Sequence, residues 1–580
     1  MKYGKQLLAA LCTAALLSGC GAAAQQPGAE QAAVKTAVTE EIPYVSRFET
    51  EHALTLSDDG ATLDGAAVGE TGDVYLSHDI VYYEDRDSYD SGLPYGEGTA
   101  EERHSAAEAA AHTVVNIVSP GAYRVSGTLS AGQLRVDLGD DAAEDPDARV
   151  ELILDGADIT CTVAPAILYQ NVYECDGDWS VETATAEVDT TDAGAVLVLA
   201  EDSVNYVTGS HVARIYKDKE GEKKLWKQDG ALYSYMSMNV YGPGTLELTA
   251  DNEGLDTELH LTINGGSIRI RAQDDGINTN EDGVSVTTIH AGDVHIIAGL
   301  GAEGDGIDSN GWLVINGGTV VASANPASDA GLDSDCGSYV NGGTVIALGS
   351  TMDWAESDSE QVTLNLQFAD YQSSGSAVVI TREDGVIVFA YDPDADEVLA
   401  ENVRRYQGAV ISSPNLEEGQ NYLVYLDGAV QGEDVGGVYL TETITGYTGG
   451  VQQSYTGTDV GFGPGGMGGM RPGGFDGQRP ELPEGMDGFD GELPELPDGM
   501  ERPDDMPEPP EGMELPDGEM PEPPEGMEKP DDMPQRPDGE AGGGQRPDDG
   551  ETDDQPQNAL FYMNDRVNAF SGVAALTETE

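Results

Sequence analysis

The stretch "GLGAEGDGIDSNGWLVINGG", residues 299–318, sets Glu303, Asp305 and Asp308 in a Gly-rich corner that runs directly into an apolar strand. Similar corners stand at "DNEGLDTE" (251–258), "QDDGINTN" (273–280) and "SDAGLDSD" (328–335). Their shared order is Gly, Ile or Leu, Asp or Asn, then Ser or Thr, and it places Asp256, Asn278, Asp308 and Asp333 in one slot. Asp274, Asp275, Glu303, Asp305 and Asp335 crowd around that slot. Carboxylates clustered with an Asn amide are the donor set of a hard cation. Calcium takes roughly six to eight such oxygens in flexible geometry, whereas magnesium demands a tighter octahedron. A single Asp beside Gly is also ordinary turn chemistry, because Asp and Asn bond their own backbone and tolerate left-handed conformations. Four corners in series point to calcium. They are not EF-hands: counted from Asp305, the place of the closing Glu is taken by Asn316. "DPDADE" (392–397) starts like such a loop but lacks its Gly.

Something must hold these corners over one another. The turn "NGG" occurs at 264–266, 316–318 and 341–343, with "HAG" at 290–292, so the turns recur every 26, 26 and 25 residues. Each is followed by a short alternating strand: "SIRIRA", "DVHIIA", "TVVASA" and "TVIALG". A period of this size, with strands and glycines but no helix, predicts an all-β solenoid, a parallel β-helix. One strand cannot bury its apolar side alone, so coils stack, and Ile268, Ile270, Val320 and Val345 are expected to point inward. Stacking also brings equivalent acids to ~4.8 Å from one another. Two carboxylates at that distance repel by about 0.9 kcal/mol in water and about 3.5 kcal/mol at an effective dielectric of ~20. A divalent ion lodged between them removes that penalty.

The rest of the chain frames this unit. Its 580 residues carry a formal net charge of −80, which excludes binding nucleic acid or anionic lipid through basic patches. The start, "MKYGKQLLAALCTAALLSGC", has two Lys, an apolar run too short to span a bilayer, and Leu-Ser-Gly-Cys. This resembles a bacterial lipobox, and it implies diacylation of Cys20 and a protein anchored by lipid to the cell membrane, facing outward. The domain reading is then a signal peptide at 1–20, a flexible tether at 21–45, the β-helix at 46–350 and a β-rich cap at 351–447. A disordered, acidic, Gly/Pro/Met-rich tail follows at 448–557, where "PEPPEGME" occurs twice, and a short apolar segment closes the chain at 558–580. That segment is either a strand that docks back or a recognition tag. Cys161, Cys175 and Cys336 are an odd number, so at least one is unpaired, and no spacing suggests zinc.

The ordered series "VSGTLSAGQLRV", "VELILDGADIT", "VLVLAEDSVNYV", "DGALYSYMSMNVYGPGTLELTADNEGLDTE", "LTINGGSIRIRAQDDGINTN" and "LVINGGTVVASA" resembles a family of bacterial surface proteins. Its members are calcium-binding, pectate-lyase-like right-handed parallel β-helices that bind carbohydrate. The resemblance covers about residues 46–450 and implies binding of plant polysaccharide, cellulose or polygalacturonate, without hydrolysis. The chain departs from the family in a Lys-rich insertion, "YKDKEGEKKLWKQDG" (216–230), and in its acidity. Polygalacturonate is itself a polyanion, so either calcium would have to lie between the two sets of carboxylates or the Lys-rich insertion would have to reach out to it. Neutral glucan would instead stack on rings, and Trp226, Tyr233, Tyr235, Tyr241 and Trp312 are the aromatics nearest the coils. A lyase of this fold would need a base beside calcium, and Arg269 and Arg271, close to Asp274, are the candidates. Paired Arg beside stacked acids is equally what charge balance would place there. The expectation is a non-catalytic binder of polysaccharide, with a calcium-dependent lyase and a structural adhesin as the alternatives.

Overall fold

The computed structural model describes residues 41–83, 103–177, 180–213, 228–350, 353–373, 376–400, 404–458 and 557–577, and the backbone alone of 214–216 and 224–227. The signal segment with Cys20, the tether up to residue 40 and the tail from 459 to 556 lie outside the described residues. The described chain is nearly all strand. Its α-helix is a single turn, Ala106–Ala109, closed by a capping box between Ser105 and Glu108. Among the described residues no helix is long and apolar enough to cross a membrane.

From Ala195 onward the chain lays down strands on three faces in turn. On the first face Ala195–Leu199, Met238–Tyr241, Leu261–Ile263, Val286–Ile289, Trp312–Ile315 and Gly337–Val340 pair in parallel, each with the next. On the second face Val204–Gly209, Thr245–Ala250, Ser267–Ala272, Asp293–Ile297, Thr319–Ser323 and Thr344–Gly349 do the same. The third face is an eight-stranded sheet whose last members are Gly230–Ser234, Glu253–Thr257, Ile277–Thr279 and Ile307–Ser309. The N-terminal end is mixed: Glu51–Ser57 pairs parallel with Gly121–Leu129 and antiparallel with Gly60–Leu63.

Alternation explains the core. In Ser267–Ala272 every second residue is buried, so Ile268 and Ile270 point in while Arg269 and Arg271 point out. Register then stacks Ile268, Val294, Val320 and Val345 in one line, all fully buried. The glycines of the acidic corners have an equally direct cause. A Cβ on Gly254 would lie 2.4 Å from the carbonyl oxygen of Gly276, and one on Gly306 would lie 2.4 Å from that of Gly331. At Gly276 it would lie 2.2 Å from Cγ2 of Ile296 and 2.6 Å from the Gly306 oxygen. Only glycine lets successive corners approach this closely. Gly276→Ala is therefore expected to cost about 1–3 kcal/mol, read as a lower denaturant midpoint at unchanged m-value.

At the Lys-rich insertion, Val212–Tyr216 pairs antiparallel with Lys224–Gln228. The tether ends sooner than residue 45. The Ile42 N–H donates to the Asn264 carbonyl at 3.0 Å, the Tyr44 ring lies 5.0 Å from that of Tyr241, and Ser46 Oγ donates to Glu151 at 2.5 Å.

The cap also extends past the boundary at 447. Thr363–Ser373 pairs antiparallel with Arg405–Ser412, which pairs in turn with Thr344–Gly349, the last strand of the second face. "EDG" joins Val378–Arg382 to Ile387–Tyr391 as a hairpin turn, with Gly385 at φ +85°. Thr448, which ends the cap strand Gly446–Thr448, and Val451–Ser454, assigned to the tail from sequence, belong to the cap. The closing apolar segment docks back, since Val567–Ala575 runs parallel to Thr363–Ser373. Tyr455, Phe561 and Phe570 hold it there with ring centroids 4.6–5.0 Å apart.

One buried ionic cluster fastens the cap to the second face. His295 is fully buried. Its Nδ1 meets Asp396 of the cap at 2.6 Å and its Nε2 meets Asp293 at 2.9 Å. Arg269 binds Asp293 from the other side at 2.5 Å, and Tyr391 Oη donates to Asp396 at 3.3 Å.

Candidate functional site

The acidic corners lie where the chain passes from the second face to the third. Register brings Asp256, Asn278 and Asp308 side by side on successive strands. Asp333 follows them, because Leu332 bridges Ile307 in parallel and the Ser309 N–H donates to the Asp333 carbonyl at 3.2 Å. A second line runs beside the first. Glu253, Asp275 and Asp305 each precede the corner glycine, and the N–H groups of Gly254 and Gly276 donate to the carbonyls of Asp275 and Asp305. The result is a two-column ladder of acids.

The ladder is buried to different depths. Asp256 is fully buried, Asp274, Asp275, Asp305, Asp308 and Asp333 are half-buried, and Glu303 and Asp335 are exposed. Burial first, and then the neighbouring carboxylates, push the acids upward. Asp305 is raised to about 8 by burial and by Asp333 and Asp308. Asp308 is raised to about 7 by burial, Asp333 and Asp335. Asp274 is raised to about 6 by burial and Glu303. Asp275 goes well above the usual carboxylate range through burial, Glu253 and Asp308, and Asp333 and Asp335 move the same way, burial being the main cause for each.

Some of this charge is met by backbone. The Asp305 N–H donates to Asp275 at 2.6 Å, and the Ala330 N–H donates to Asp305. Asn280 Nδ2 donates to Asp256 at 2.6 Å. Asn278, in the middle of the ladder and 5 % exposed, has its amide oxygen buried with no hydrogen-bond partner. A bare amide oxygen among carboxylates is a donor to a hard cation, so the donor set fits calcium.

The structure adds two acids to the ladder. Asp229, Glu253 and Asp256 are all buried, with ligand oxygens within 4.8 Å of one another. Glu253 stands before Gly-Leu-Asp just as Asp275 stands before Gly-Ile-Asn, so the repeat itself carried the signal. Asp229 had no such signal, because the Lys-rich insertion breaks the period ahead of it.

Of the four candidate aromatics whose side chains are described, only Tyr233 and Tyr235 meet. Tyr233 is fully buried, in register with Asp256, and its Oη donates to Glu258, so it offers no face to a sugar. Tyr235 is half-buried, 5.1 Å and edge-on from Tyr233. Tyr241 and Trp312 are half-buried at opposite ends of strands on the first face. Trp226 sits on the insertion hairpin, and its side chain lies outside the described residues. Tyr233 is thus removed from the candidate platform, because the outer side of the third face is covered at that rung. Arg269 and Arg271 are spent on acids of their own face: Arg269 binds Asp293, and Arg271 binds Glu247 at 2.9 Å. That is charge balance across rungs rather than a base held beside the ladder.

A family model described as "Carbohydrate-binding domain-containing protein" matches residues 111–363, which include every acid of the ladder. A protein of that same description from Acetivibrio thermocellus (strain ATCC 27405) is 29 % identical over 159 residues, 27 % of this chain. The match spans 45 % of the relative's length. A solved structure described as the polysaccharide lyase-like protein from C. thermocellum, a gadolinium derivative, aligns over 51 % of this chain and 93 % of its own at 21 % identity and a TM-score of 0.29. Over its parallel strands and its acid ladder, this chain is similar to carbohydrate-binding-domain proteins.

Proposed function

We propose that the protein is a surface lipoprotein that binds polysaccharide, cellulose or a pectin-like polygalacturonate, through a right-handed parallel β-helix stabilised by calcium. The observation that carries the reading is the ladder itself. Its acids are ranked in register, lifted far above their ordinary range by burial and by one another, and interrupted by a bare Asn278 amide oxygen. Calcium in the ladder would be held by Asp256, Asn278, Asp275, Asp305 and Asp308, joined by Asp229 and Glu253 at the deepest rung. Asp274 and Asp333 close the flanks, and exposed Glu303 and Asp335 face incoming ligand. The ion supplies positive charge where a uronate carboxylate could dock, which a chain of net charge −80 otherwise repels. The similarity of residues 111–363 to carbohydrate-binding-domain proteins supports the sugar ligand. A lipid on Cys20 would hold the protein at the outer side of the cell membrane.

No catalysis is proposed. Both candidate bases are ion-paired within the second face, and a lyase needs one aimed at its substrate. The test is retention of the purified protein on insoluble cellulose and pectin. Retention on at least one polymer in millimolar calcium is expected, with release from pectin in excess EDTA. Passage through both columns at every calcium concentration would overturn the reading and leave a structural adhesin. Release of unsaturated uronate product from polygalacturonate would overturn the non-catalytic part.

A further inference from the structure

The cap carries a cleft outside the residues matched by the family model, and the acid ladder plays no part in it. Its floor is the outer side of Val378–Arg382, Ile387–Tyr391 and Asn421–Leu426, and residues 441–450 form the facing wall around a volume of about 930 Å³. Ile387, Ile444, Tyr425 and Tyr447 line the cleft half-buried and pack over buried Val379 and Ala390. The two tyrosine rings meet edge to face with centroids 5.9 Å apart. Tyr447 Oη donates to the Asp427 carbonyl at 2.7 Å, which fixes its ring at the rim.

Two features define what could enter. Thr381, which lines the cleft and is 5 % exposed, has a buried hydroxyl with no hydrogen-bond partner. Native structures rarely leave such a group bare, so its partner is expected to come from outside the protein. The lining contains no Lys or Arg, and its charged members, Asp384 and Glu442, are both exposed carboxylates. Two acids at the mouth repel a polyanion. Half-buried tyrosine rings, apolar sides and the bare Thr381 hydroxyl suit a molecule with apolar faces and hydroxyl edges.

We infer that this cleft is a second carbohydrate site, selective for a short neutral glycan and independent of calcium. Rings of the glycan would lie against Tyr425 and Tyr447, with a sugar hydroxyl paired to Thr381. The site goes beyond the proposal for the ladder, which needs a cation. The ladder is read by calcium-dependent retention on pectin and this cleft by binding of neutral glycan in EDTA, so the two fail separately.

The test is isothermal titration of the full exported chain in excess EDTA, with a neutral β-1,4-glucan oligosaccharide and a galacturonan oligomer of equal length as probes. The neutral oligomer is expected to bind and the galacturonan oligomer not to bind. Tyr447→Ala should weaken binding about tenfold, and Tyr447→Phe should return it to within about threefold of the parent. Thr381→Val, which keeps shape and removes the bare hydroxyl, should weaken binding about threefold to tenfold without lowering Tm. Failure of the neutral oligomer to bind in EDTA, equal binding of both oligomers, or affinity unmoved by both Tyr447→Ala and Thr381→Val would each overturn the inference.

Discussion

His295→Ala is expected to destabilise the protein by about 3–5 kcal/mol and to loosen the cap, seen as faster hydrogen exchange through Thr363–Ser373 and Arg405–Ser412. The cause is the pair of carboxylates on its ring. Burial opposes charging of His295, but hydrogen bonds to Asp293 and Asp396 overcome it and raise the imidazole above its ordinary value. Burial likewise opposes ionisation of Asp293, yet His295 and Arg269 hold it down to about 2, and Asp396 is lowered against its own burial by His295. Removing the ring leaves Asp396, 1 % exposed, with Tyr391 and backbone N–H groups only.

The pH dependence of this latch has a definite sign. A His raised on folding stabilises fully below its unfolded value near ~6.5 and loses that contribution as pH rises through the folded value. The two lowered carboxylates stabilise above ~3.9 and lose their contribution as pH falls, Asp293 toward about 2. The latch is thus strongest between those limits. The pH dependence of cap exchange should flatten in His295→Ala.

Asp308→Asn is the second large effect, and calcium should diminish it. Asp308 is raised to about 7, so at neutral pH without cation the ladder bears a charge that burial and neighbours oppose. Replacing it by Asn removes that load, and the fit is already demonstrated one rung away by Asn278. In EDTA at pH 8 the variant should be more stable than the parent by about 2–4 kcal/mol. In calcium the same change deletes a ligand, so the stabilisation gained on adding the ion should shrink. A turn residue with no cation role would show the first effect without the second.

How much of this was legible in the sequence depends on the distance between partners. Register among Asp256, Asn278, Asp308 and Asp333 could be read because the corner glycines and "NGG" turns repeat at nearly constant intervals. The inward line from Ile268 to Val345 followed from two-residue alternation. Period failed at Asp229, where an insertion interrupts it. Alternation failed at Tyr233, since it tells which side of a strand a ring takes but not whether that side is covered. The latch left no local trace, because His295 and Asp396 are 101 residues apart. A strand docking back was one of two readings of the closing segment, but its partner was hidden: Thr363–Ser373 precedes the low-complexity tract, and pairing across that separation carries no spacing signal.

The ladder's chemistry leads to one decisive measurement, the melting temperature of the protein against pH, in excess EDTA and in millimolar calcium. Acids whose folded values lie above their unfolded ones bind more protons when folded, so cation-free stability is greatest near pH 4 and declines as pH rises toward about 8, the value for Asp305. Calcium needs those same carboxylates ionised, so its gain in Tm should grow with pH and reach on the order of 10 °C at pH 8. Coincident melting curves with and without calcium across that range would contradict a cation in the ladder.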